Sequence, residues 1–178
     1  MEQVYTITAF SENHIGLLNR ITIIFTRRHL NIDSLTVGES AIEGVHKFTI
    51  VVRGTMEQVE KVVKQIEKLV EVLKCFFLSE DEVIHQEIAL YKVKTEALTL
   101  SNKFESLIRN YNARILELTP TYTVIEKTGH KEETTQLFHE LDEFGVLQFT
   151  RSGRIAITKS DKEHLTAYLK EIDKLREN

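Results

Sequence analysis

One cysteine, one proline and seven glycines are all that 178 residues contain, and each scarcity removes a class of protein. Cys75 has no second thiol to pair with, so no intrachain disulfide braces the chain; this fits a reducing compartment and an expected cytoplasmic location. It sits in the apolar run Val72-Leu-Lys-Cys-Phe-Phe-Leu78, with only Lys74 as a basic neighbour, and reads as a core residue. The few glycines build no phosphate-cradling Gly-x-x-x-x-Gly-Lys loop, no dinucleotide Gly-x-Gly-x-x-Gly and no Gly-x-Ser-x-Gly elbow. Seven scattered histidines, with no His-x-His or His-x-x-x-His pair, give little support to a metal centre. No apolar stretch approaches the roughly 20 residues that span a bilayer, and the acidic start Met1-Glu-Gln-Val-Tyr5 is unlike a signal peptide. The net charge is −4, and the first 84 residues carry 9 basic against 12 acidic side chains. Neither half is basic, so there is no electrostatic footprint for nucleic acid or an anionic membrane, and no helix-turn-helix or basic arm accompanies it.

What is present is one order of elements, strand-helix-strand-strand-helix-strand, performed twice. Val4 to Phe10 alternates with period two. Leu17, Leu18, Ile21, Ile24 and Phe25 predict one helical face. Strands follow at Ile32 to Val37 and Val45 to Arg53, around a turn-rich stretch from Gly38 to Gly44. Thr55-Met-Glu-Gln58 has capping-box spacing and opens a helix with the stripe Val59, Val62, Val63, Ile66, Leu69 and Val70; Val72 to Leu78 is the fourth strand. After the acidic Ser79-Glu-Asp-Glu82 the order restarts: Ile88, Leu90 and Val93 in a strand, a helix from Leu98 to Tyr111, and strands at Ala113 to Thr119 and Tyr122 to Lys127 around Pro120. A helix from Lys131 to Phe144 ends at Gly145, and Val146 to Arg151 is followed, past Ser152-Gly153, by Arg154 to Thr158. A last helix is predicted from Ser160 to Arg176. The expected fold is α+β: two ferredoxin-like βαββαβ units, antiparallel sheets with helices on one face, plus a C-terminal helix. Residues 1–79 form the first domain, 80–86 a linker and 87–178 the second domain. Such sheets leave a second face uncovered, and units of about 80 residues are marginal alone, so pairing of chains is expected.

Ser11-Glu-Asn-His-Ile-Gly-Leu-Leu-Asn-Arg20, followed by Phe25 and Arg28-His-Leu-Asn-Ile-Asp-Ser-Leu35, is the segment that carries chemistry. A strand ends and Gly16 opens a helix whose free N–H groups and positive dipole end suit a carboxylate. Asn13 both donates and accepts hydrogen bonds, and Asn31 opens the next strand and could reach the same space from a neighbouring chain. A pocket for a free amino acid is one reading. The other is that Asn13 caps the helix and Gly16 permits tight helix–sheet packing.

The pattern strand, Asn-x-x-Gly-x-Leu-x-Arg, Phe, Arg-x-x-Asn-Ile-x-Ser-Leu resembles the ACT domain, a small amino-acid-binding regulatory fold. Within that class it is most similar to the small, regulatory subunit of acetohydroxyacid synthase, also called acetolactate synthase. The second half resembles the same family through Gln86-Glu-Ile-Ala-Leu-Tyr-Lys-Val93, Glu117-Leu-Thr-Pro120, Glu126-Lys-Thr-Gly129 and Thr150-Arg-Ser-Gly153. The resemblance spans Val4 to Thr158. It implies a homodimer, a feedback effector (usually valine) held between chains by Asn13, His14, Ile15, Gly16, Asn31 and Ile32, and no catalytic residues in this chain. It also implies a large catalytic partner carrying thiamine diphosphate, magnesium and FAD. The Gly-Asp-Gly motif with which such enzymes hold magnesium is missing here, in keeping with that division. A free-standing amino-acid sensor for another enzyme or for transcription is the alternative. His29 and Leu30 depart from the family, which usually has glycine and an aromatic residue there.

Overall fold

A computed structural model describes residues 1–96, 102–161, 165–168 and 170. The elements are β1 (Gln3–Glu12), α1 (Leu17–Arg27), β2 (Ile32–Glu39), β3 (Val45–Gly54), α2 (Met56–Ile66) and β4 (Val72–Ser79), then β5 (Val83–Lys94), α3 (Asn102–Asn110), β6 (Arg114–Leu118), β7 (Tyr122–Gly129), α4 (Lys131–Asp142), β8 (Val146–Arg151) and β9 (Ile155–Thr158). The first sheet has the order β2-β3-β1-β4 and the second β6-β7-β5-β8, with antiparallel neighbours throughout. These are the two ferredoxin-like units expected from the sequence. The chain divides into one compact unit of Met1–Ile84 with Arg154–Asn178 and another of His85–Gly153. The segment 80–86 is folded: Glu80–Glu82 form a 3-10 turn that Ser79 and Glu82 cap reciprocally, and β5 begins at Val83. Of the predicted last helix, Leu165 to Tyr168 are helical, and 162–164, 169 and 171–178 lie outside the described residues. So do Leu98 and Leu100 of the predicted 98–111 helix.

In the first unit the odd-numbered side chains of β1 meet the helices. Tyr5, Ile7 and Ala9 share one buried cluster with Ile50 of β3, Cys75 of β4 and the α1 residues Leu17, Ile21 and Phe25. Period-two strands against period-3.6 helices account for that pattern. Two residues assigned to helical stripes depart from it. Leu18 is 45% exposed, and Val70, at 94%, lies beyond the end of α2. Cys75 is a core residue, and burial drives its thiol pKa far upward.

The expectation of an uncovered second face fails in the first unit. On that face side chains form rows across the strands, Thr36–Thr49–Thr8–Phe76 and Ser34–Val51–Thr6–Leu78. Thr6, Thr8, Thr49 and Val51 are all buried. The returning chain contributes to this cover: Lys47 Nζ donates to the carbonyl of Ala156 at 2.6 Å, and Arg154 reaches Thr6. A cavity of about 110 Å³ lies on that face, lined by Phe10, Lys47, Phe76 and Ala156 among others. Period-two alternation marks which face a residue occupies, and carries nothing about a segment more than 100 positions away that lies over it. In the second unit Ala89, Tyr91 and Val93 pack with Phe104, Ile125, Leu137 and Leu141. No helix among the described residues is long and apolar enough to cross a membrane.

Candidate functional site

The loop joining β1 to α1 is built by Gly16. Its φ of +84° is left-handed, a region open to glycine without strain. A Cβ placed there would meet nothing within 4 Å, so tight packing is not what demands glycine. The helix-capping position belongs to Gly16, not Asn13, and no side chain caps it. The Leu17 amide donates to the His14 carbonyl at 3.2 Å, and the first turn of α1 contains no acidic residue to compensate its positive dipole end. Asn13, His14, Ile15 and Gly16 are all exposed.

The loop is held from behind by Glu71, which local sequence reading did not single out. The Glu12 amide donates to the Glu71 carbonyl at 3.0 Å, and the Arg20 guanidinium donates to Glu71 Oε1 at 2.5 Å. His14 Nδ1 stands 4.0 Å from the same oxygen and 2.9 Å from the Ile15 carbonyl. The hydrogen bond from Arg20 holds the Glu71 carboxyl below the usual carboxylate range, aided by its backbone hydrogen bond. Arg20 and Glu71 are 51 positions apart, so only the fold brings them together.

The far end of α1 is closed by a Schellman motif. Leu30 N–H donates to the Phe25 carbonyl and His29 N–H to that of Thr26, both at 3.1 Å. His29 therefore takes the left-handed conformation, with φ of +52°. Leu30 turns into the core, whereas Asn31 is exposed and Ile32 half-buried at the start of the edge strand β2. The 11 residues of α1 rise about 16 Å. One chain thus places Asn13 to Gly16 and Asn31–Ile32 at opposite ends of one helix.

Three of the four motifs singled out in the second half, all but Glu117 to Pro120, converge on a largely buried polar cluster. Glu87 on β5 pairs with Arg151 Nε of β8 at 3.2 Å. Arg151 Nη1 donates to the hydroxyls of Thr134 and Thr135 at 3.1 Å, pinning the first turns of α4. Lys127 stands 3.7 Å from Glu133, and the Glu133 carboxylate accepts from the His130 amide at 2.7 Å. A Cβ on Gly129 would fall 2.6 Å from Glu133 Oε2, so a larger residue there obliges that carboxylate to move. Among the described residues no group of three or more His, Cys, Asp and Glu side chains could hold a metal ion. The cluster braces the unit, although Glu87 Oε2 meets Arg151 as an ion pair without a hydrogen bond.

Comparison with known proteins bears on both halves. The profile described as the AHAS small subunit-like ACT domain matches residues 7–74, and that described as the small subunit of acetolactate synthase matches residues 86–160. The acetolactate synthase small subunit of Bacillus subtilis is 31% identical over 164 residues, covering 92% of this chain and 94% of that protein. The probable acetolactate synthase small subunit of Archaeoglobus fulgidus is 32% identical over 165 residues, covering 89% of this chain and 99% of that one. The crystal structure of the small subunit from Thermotoga maritima superposes with a TM-score of 0.81 at 26% identity, covering 90% of this chain and 99% of that one. Sequence along nearly the whole length, both profiles and the fold agree: the chain belongs to the acetolactate synthase small subunit family, with an ACT domain in its first half.

Proposed function

We propose that this chain is the non-catalytic, regulatory subunit of an acetolactate synthase of branched-chain amino acid synthesis. It raises the activity of a large catalytic subunit and imposes feedback inhibition by a branched-chain amino acid, for which valine is the first choice. Thiamine diphosphate, magnesium and FAD belong to the catalytic partner, and the assembly is cytosolic. The effector's carboxylate is received by the uncapped first turn of α1 behind Gly16, with Asn13, His14 and Ile15 at its side; Asn31 and Ile32 close the pocket from a second copy.

The observation that carries this reading is the placement of the two halves of the site at opposite ends of α1. A ligand smaller than about 16 Å cannot bridge them within one chain. Two copies paired along their β2 edges in antiparallel fashion would bring unlike ends together, giving a homodimer with two equivalent sites. The effector then favours one arrangement of the pair, and that arrangement differs in its contacts with the catalytic chain. Residues 1–79 are assigned to pairing, sensing and part of the activation, and the domain from Glu87 onward to full feedback sensitivity.

The test is Gly16→Asp beside Gly16→Asn. Both residues tolerate left-handed backbone comparatively well, so the pair isolates the added charge. Gly16→Asp is expected to abolish inhibition by L-valine in the reconstituted synthase while leaving activation intact, and Gly16→Asn to weaken inhibition less. Asn13→Ala and Asn31→Ala should each weaken effector binding by about 1.5–3 kcal/mol, the value of a hydrogen bond to a charged group. Retained inhibition in a folded Gly16→Asp dimer would rule the site out. A monomer at micromolar concentration would rule out the shared pocket, and acetolactate formation from pyruvate by this chain alone would rule out a purely regulatory role.

A further inference from the structure

On the covered face of the first sheet, Arg154 is a buried cation with contacts on more than one strand. Arg154 is 8% exposed and lies crosswise to the strands. Its backbone N–H donates to Ser34 Oγ on β2 at 3.3 Å, and its guanidinium Nη1 donates to Thr6 Oγ1 on β1 at 3.1 Å. Val51 of β3, 5% exposed, lies between Ser34 and Thr6 in the same row. The same Nη1 donates to Glu80 Oε1 at 2.5 Å, in the turn that follows β4. One residue therefore reaches from the edge strand β2 across β3 to β1, two strand spacings of about 4.8 Å, and there also meets Glu80 beyond the end of β4.

Its covalent position matters as much as its contacts. The chain leaves the first unit after Ile84 and re-enters it at Arg154. Glu80 lies four residues before the exit and Arg154 is the first residue after the return, so their ion pair ties both crossings to the sheet. Ser34 lies two residues beyond Ile32 on the strand whose start belongs to the effector site. Arg154 Nε is buried without a hydrogen-bond partner among the described residues, as is the Thr36 hydroxyl on β2.

We propose that Arg154 is a positioning residue of the feedback response, a clasp linking the effector edge β2 to the two segments that lead into the second unit. This rests on the proposed effector site. A change in β2 on effector binding would be transmitted through Ser34 and Arg154 to Glu80, rather than being absorbed at the sheet edge. Arg154 touches neither Asn13 to Gly16 nor Asn31, so its loss should separate sensing from response.

The test uses the full chain, free and reconstituted with its catalytic partner, as wild type, Arg154→Ala, Arg154→Lys and Glu80→Gln. In Arg154→Ala the affinity for L-valine by calorimetry should stay within about threefold of wild type. The concentration for half-inhibition should rise by about tenfold or more. Arg154→Lys, which keeps the charge, and Glu80→Gln should fall between. Unchanged inhibition in Arg154→Ala would overturn the clasp, as would a parallel loss of binding, inhibition and melting temperature. If the wild-type chain binds none of the three branched-chain amino acids, the effector-site reading fails by itself. Hydrogen exchange then decides the clasp: faster exchange at both β2 and 154–158 in Arg154→Ala supports the link, and exchange unchanged at β2 overturns it.

Discussion

At the scale of single residues, His29 is the clearest case of a side chain at odds with its backbone. Its φ of +52° is the conformation that the Schellman cap of α1 requires, and a Cβ is penalised there. His29→Gly is expected to stabilise the chain by up to about 1 kcal/mol, read as a higher melting temperature. An unchanged or lower melting temperature would mean that the imidazole makes a compensating contact. Glu71 offers a pH test. Its carboxyl is lowered by Arg20, so the pair stabilises the folded chain fully above the ordinary carboxylate value of about 4.3. That contribution is lost as pH falls through the lower folded value. The difference in urea midpoint between wild type and Arg20→Ala should therefore be constant near neutrality and shrink in acid. A difference that persists at pH 2–3 would show that Arg20 acts through packing alone.

Among elements, the contacts that decide stability are those joining strands to helix ends. A Cβ on Gly54, at the end of β3, would come within 2.8 Å of Leu30 Cδ1 and 3.3 Å of Gln58 Oε1. Gly54→Ala should destabilise by about 1–3 kcal/mol through overpacking, measurable by urea unfolding. In the second unit, Arg151→Ala strands the buried Glu87 and releases the first turns of α4. It is expected to destabilise by about 3–5 kcal/mol, the range for breaking a buried pair; a change under about 1 kcal/mol would mean that water replaces the guanidinium. The elements themselves were legible in the sequence, because alternation and helical stripes repeat within ten residues. The loop of the candidate site was legible too, since Asn13 and Gly16 lie in one short motif. Its support was not, because Arg20 and Glu71 meet only across the fold. Gly16 and Gly129 look alike as single glycines in turns, yet one answers to a dihedral angle and the other to a carboxylate. Val70 and Leu18 were placed inward by helical periodicity, which does not report where a helix stops or which flank it buries.

For the whole molecule, the two βαββαβ units are built alike down to their helix ends. Asn112 closes α3 as His29 closes α1, with φ of +48° and the Ala113 amide on the Ile108 carbonyl. They are joined unlike beads on a string, because the first unit reclaims the chain at Arg154. A chain ending at Ser79 would lose Arg154 to Thr158 and bare Thr6, Thr8, Thr49 and Val51. It is expected to melt lower than the full chain, still pair and partly activate its partner, and lose feedback. Full inhibition of a synthase assembled with that fragment would contradict both the assigned division of labour and the clasp. The same topology sets a schedule for synthesis. Once Ile84 has been made, a further 69 residues, His85 to Gly153, precede the one that crosses the first sheet. At roughly 5–20 residues per second this interval is on the order of 3–14 s, long compared with the folding of a small α/β domain. On the ribosome the first sheet therefore waits with a mixed back, on which water can solvate Thr6, Thr8, Thr36 and Thr49 while Phe10, Phe76 and Leu78 stay bare until the returning segment is made.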